Sequence, residues 1–206
     1  MVKPVVQACP ADSLKARDFS GSSMSFRRIV DDIEQKVNFG LFVHPKYARN
    51  SAHLILGVEV FAKGIVDTYK EMLPSDPNPK DSCRIFMPLE SLSRERVSPW
   101  LFHDMATVKA MESKIVRTIE GSVIPFLDEA ASTGGLLEIC REGINKAASV
   151  LGYSAGNRAV IGAALAVSMG DVPGGLDLIR VSYSNSPSLR REYDTAFLFL
   201  ERLNSR

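Results

Sequence analysis

Two runs of alternating apolar residues constrain this chain more than any other feature: Val37, Phe39, Leu41 and Val43, then Leu54, Leu56, Val58 and Val60. An apolar residue at every second position lies on one face of an extended strand, with its polar neighbours on the other. A helix would scatter the same residues around its circumference. Each run therefore has to cover a core as part of a sheet. A third alternating stretch, MSFRRIV, precedes them, and Asp31-Asp32 is placed to turn the chain tightly between it and the next strand. Residues 44–51 form a longer, polar connection between the second strand and the third.

After Phe61 the period changes. Ile65, Tyr69 and Met72 recur at helical spacing, and LPSDPNPKDS ends that helix with three prolines before a fourth strand, CRIFMPL. Beyond SPWLFHD the chain reads as helical. Asp104 is expected to cap a helix whose inward face is Val108, Met111, Ile115 and Ile119, and Gly121 is expected to break it. VIPFLDEAAS then starts another helix, with Pro125 tolerable near its first turn and ASTGG closing it. LLEICREGINKAASVLG and SAGNRAVIGAALAVSMGD read as two more, turning at Gly170-Asp171. SPSLRREYDTAFLFLERLN reads as the last, with Ser186 as cap and Leu189, Tyr193, Ala196, Phe197, Leu200 and Leu203 on its apolar face. No internal period of fixed length recurs, so a repeat protein is not expected.

Strands followed by a run of helices predict an α+β fold, with an antiparallel meander sheet in the N-terminal half packed against a mostly helical C-terminal half. No Pro/Ser-rich linker interrupts the pattern. The expected organisation is a single domain over residues 1–206, strand-rich to Phe102 and helical from Asp104 onward.

Composition narrows the function classes. With 206 residues, 45% of them hydrophobic, the chain can bury a core without disulfides or metal. The net charge is +1, and the two halves are alike, with 14 basic and 12 acidic groups in residues 1–103 against 11 and 12 in the rest. That balance argues against nucleic acid as a partner. Cys9, Cys83 and Cys140 lack the paired spacing of a zinc site or redox dithiol, which fits a reducing compartment, the cytoplasm. The N-terminus, broken by Pro4, Gln7 and Pro10, fails as a secretory signal. The longest apolar run, AVIGAALAVSMG, is short of the ~20 residues that cross a bilayer, so no membrane partner is expected.

Chemical motifs are scarce. Gly-Tyr-Ser-Ala-Gly at 152–156 matches the literal nucleophile-elbow pattern, but an elbow needs a buried strand before it and NKAASVL is helical in character. Ser154 is read as a helix cap instead. ASTGG and VPGG lack the Lys-Ser/Thr ending of a phosphate loop. His44, His53 and His103 have no metal-ligand spacing, and Asp31, Asp32 and Glu34 are read as an acidic hairpin turn that needs no cation. Trp100 is read as a core anchor. No catalytic residue, metal site or cofactor is assigned. What remains is the connection after the second strand, where His44, Lys46, Tyr47 and Arg49 are presented between two apolar strands. Tyr and Arg are the residue types that anchor interfaces, so these four are the candidate partner-binding residues, with a solvated connection as the simple alternative.

One resemblance adds to this reading. LKARDFSGSSMSFRR, then VNF on the second strand, an apolar third strand, a Trp just before a helix and IPFLDEAAS after it resemble the bacterial family called domain of unknown function 4304, over residues 14–135. Arg17-Asp18-Phe19 stands where that family has a Gly-Phe step. The resemblance implies an α+β fold and no established activity, and some relatives look like immunity proteins that neutralise toxins of competing bacteria. The expected function is then a soluble intracellular binding protein without catalytic chemistry, acting on another protein by shape and charge fit. The alternative is an enzyme with a non-motif active site in a cleft between sheet and helices.

Overall fold

The alternating runs fold as strands in the computed structural model, which describes residues 10–22, 24–43, 52–92, 100–145, 155–185 and 189–206. A short helix α1 (Pro10–Lys15) leads into β1 (Ser20–Ser22), β2 (Ser25–Val30), β3 (Ile33–Val43) and β4 (Ala52–Ala62). A 3₁₀ turn (Lys63–Ile65), α2 (Val66–Met72) and α3 (Pro79–Ser82) precede β5 (Arg84–Pro88), α4 (Leu89–Leu92) and β6 (Trp100–Phe102). The sheet order is β1-β2-β3-β4-β5, and β6 joins β4 antiparallel with Leu54 opposite Trp100. The chain is α+β, with an antiparallel sheet in the N-terminal half and helices in the C-terminal half. Among the described residues, 10–29, 34–60 and 86–128 form one compact unit and 30–33, 61–85 and 129–206 a second.

In the first unit, strand parity decides what is buried. Phe26, Val37, Phe39, Leu54, Leu56, Val58 and Val60 are all buried, and Leu41, near the end of β3, is half-buried. Phe26 and Phe39 meet edge to face with centroids 6.1 Å apart, the arrangement favoured by aromatic quadrupoles. Each such side chain contributes about 1.5–3 kcal/mol by leaving water. Trp100 is 1% exposed, the core anchor expected of it, and its indole Nε1 has no hydrogen-bond partner among the described residues. Helix α5 (Met105–Thr118) packs beside β6 and buries Ile115, while Met111 is half-buried. Asp104 caps it as expected: the Thr107 backbone N–H and hydroxyl both donate to Asp104 Oδ1 at 2.7 Å. Those bonds, the backbone one foremost, hold the Asp104 carboxyl below its usual range.

Gly121 does not break that helix. The chain continues through a π-helical segment (Ile119–Val123) into α6 (Ile124–Glu129). Pro125 has no N–H to offer, and its ring would strike the carbonyl four residues back, Gly121 itself, in an unbroken α-helix. One wider turn removes the conflict without ending the helix. Ile119, Val123, Ile124 and Leu127 thereby keep a continuous buried stripe.

The second unit is built on α7 (Thr133–Asn145), α8 (Ala155–Ser168), α9 (Val172–Asn185) and α10 (Leu189–Asn204), together with α2 and α3. Helix α8 is its centre, packed by α7, α9 and α2, and Ala159 through Ala166 are buried on all sides. Small residues make that possible: Gly162 faces Cys140 and Leu178 so closely that a Cβ would stand 3.0 Å from Cys140 Cβ. ASTGG does not close the preceding helix but opens α7, since Gly135 N–H donates to Ser132 Oγ at 3.1 Å. Likewise Asp171 accepts from Gly174 N–H at 2.9 Å, so VPGG is the first turn of α9. The β2–β3 turn belongs to this unit too. Asp31 sits at φ 52°, a conformation Asp tolerates, and Asp32 accepts from two backbone N–H groups, Lys63 on its carbonyl (3.1 Å) and Gly64 on its carboxylate (3.3 Å).

Candidate functional site

His44, Lys46, Tyr47 and Arg49 lie outside the described residues, as does Ser154. The strand ends from which their connection departs are described. Gln35, Val37 and Phe39 of β3 and Leu54, Leu56, Val58 and Val60 of β4 are buried in the first unit, which puts Asn38, Gly40 and Phe42 with His53, Ile55, Gly57 and Glu59 on the opposite, outer face. Phe42 is 58% exposed and Ile55 36% exposed, with His53 half-buried. A Cβ on Gly40 would stand 2.7 Å from Ile55 Cγ1, so the isoleucine lies flat across β3 where a side chain would otherwise project. Gly57 plays the same part for Phe86, whose ring occupies the space a Cβ would need. Two glycines thus let the side chains of Ile55 and Phe86 lie against the sheet backbone.

Two polar clusters lie elsewhere on that face. Ser25 Oγ donates to Asn38 Oδ1 and Asn38 Nδ2 to Glu59 Oε1, both at 2.7 Å. Arg27 Nη2 and Lys36 Nζ reach the two oxygens of Glu34 at 2.6 and 3.1 Å. Burial of Glu34 raises its pKa, but the hydrogen bonds and charges of Lys36 and then Arg27 outweigh it and bring the carboxyl down to about 2. Glu34 is thus ion-paired, and Asp32 accepts from backbone N–H groups. Among the described residues, no group of three His, Cys, Asp or Glu could hold a metal ion. Of the remaining histidines, His53 pairs across from Leu101 and His103 is exposed beside the Asp104 cap.

On the inner face of the first unit, one polar network was missed by the alternation argument. Gln35 is fully buried, accepts from Arg28 Nε at 2.7 Å and donates to the Leu127 carbonyl at 2.5 Å. Arg28 also donates to Asp128 Oδ1 (2.8 Å) and the Arg17 carbonyl (3.3 Å), and its guanidinium lies 4.7 Å over the Phe19 ring. Every arm of the guanidinium is engaged, so this group holds structure together.

A second polar cluster belongs to the helical unit. Tyr69 of α2 donates its hydroxyl to Asn157 Oδ1 at 2.8 Å, and Asn157 Nδ2 donates to the Ser82 carbonyl at 3.0 Å. Burial, and next the charge of Asp76, push the Tyr69 phenol above its ordinary value and the neighbouring Cys83 thiol up to about 12. Burial pushes Cys140 to about 12 as well. Neither thiol forms a thiolate near neutral pH, and only the thiolate attacks carbon or binds a soft metal. Tyr69 is a hydrogen-bond donor here.

Among the described residues, no helix is long and apolar enough to cross a membrane. Compared with family models, with curated proteins and with solved structures, the chain matches none of them.

Proposed function

We propose that the protein is a soluble cytoplasmic binding protein without catalytic chemistry, and that it contacts another protein through the apolar end of the outer sheet face and the connection leaving it. Phe42 carries this reading. This largely exposed aromatic shares a sheet face with Ile55, which lies against Gly40 two residues before it, and in the sequence His44, Lys46, Tyr47 and Arg49 follow it. Exposed aromatic and aliphatic side chains are the kind that fill an interface centre, and a sheet presents Phe42 and Ile55 at little entropic cost. The finer reading, an immunity protein that neutralises a bacterial toxin, rests on the likeness of the quoted sequence stretches alone, since no family model matches the chain.

Affinity capture from the native organism tests this with three baits: the wild-type chain, Phe42→Ser, and the double variant Tyr47→Ala with Arg49→Ala. A protein retained by the first and weakened in both variants by on the order of 2 kcal/mol or more, with the melting temperature unchanged, is the expected result. Equal retention by all three baits refutes the surface. Growth rescue on co-expression with a toxin encoded beside this gene, lost in Phe42→Ser, tests the immunity role. Failure of rescue by the wild-type chain removes it.

A further inference from the structure

We draw no further inference here: the strongest candidate, the apolar end of the outer sheet face at Phe42 and Ile55, is the surface already proposed for partner contact, and nothing in the structure shows what covers it.

Discussion

Replacing Gln35 with leucine removes a fully buried amide that joins two strands to a helix, and the cost can be worked from its partners. Arg28 Nε loses its acceptor while its side chain stays only 10% exposed, and the Leu127 carbonyl loses a donor. The charge-assisted bond contributes about 1.5–3 kcal/mol and the neutral one about 1 kcal/mol. Leucine fills a similar volume and returns about 1–2 kcal/mol by burying apolar surface in place of the amide. Arg28 keeps Asp128, the Arg17 carbonyl and the Phe19 ring. The net loss is about 2 kcal/mol, or about 4–8 °C in melting temperature for a chain of this length.

Urea denaturation of Gln35→Leu, Arg28→Met and the double variant gives the decisive comparison. Each single variant strands a polar atom of the other residue, whereas the double variant strands neither on the sheet. The double variant should therefore be more stable than the sum of the singles by about 1 kcal/mol or more. If Gln35→Leu is as stable as wild type, or the two changes add within about 0.5 kcal/mol, the network does not hold the strands to the helix and the reasoning fails.

Glu34 has a folded pKa of about 2, below the unfolded value of about 4.3, so its contribution is complete above roughly pH 5 and is lost as pH falls through 2. Because Arg27 is half-exposed, the contribution is about 1–2 kcal/mol, and the stability gap between wild type and Glu34→Gln should close between pH 6 and 2; a constant gap would show that the charge is not involved. Gly57→Val should displace the Phe86 ring and lower the melting temperature by several degrees, and an unchanged value would mean the ring does not need the bare glycine. In a Cys9→Ser background, Cys83 and Cys140 should resist a thiol reagent at pH 8 in the native state and both react in denaturant; rapid native labelling would contradict their burial and raised pKa.

The sheet was legible because burial on one side imposes period two, and the same parity that put Val37 and Phe39 inside put Leu54, Leu56 and Val58 inside. The Asp104 cap was legible because Asp is a favoured cap and stands just before the helical spacing of Val108, Met111, Ile115 and Ile119. Gly121 misled because glycine ends many helices, and only the demand of Pro125 four residues later explains a π turn instead. Ser132 and the glycines after it misled for a related reason: the same letters close one helix or open the next, and the Ser132 to Gly135 hydrogen bond decides. Gln35 could have been found. A two-residue turn at Asp31-Asp32 sets Arg28 across from Gln35 and Ser25 across from Asn38, and both pairs are hydrogen-bonded.

The candidate surface was half legible, through the letters that violate the parity elsewhere obeyed. Even-numbered positions of β3 carry Glu34, Lys36, Asn38 and Gly40 before they carry Phe42, and Ile55 stands among His53, Gly57 and Glu59 on β4. An apolar residue on the polar side of an alternating strand gains nothing from the core behind it. It also invites association with other exposed strands. Single exposed apolar residues are ordinary, but Phe42 and Ile55 share one face of adjacent strands, and Gly40 leaves the space in which Ile55 lies flat against the sheet. Of the three, Gly40 is the one that weakens a strand, and its bare Cα is what gives Ile55 its place on the face that Phe42 shares.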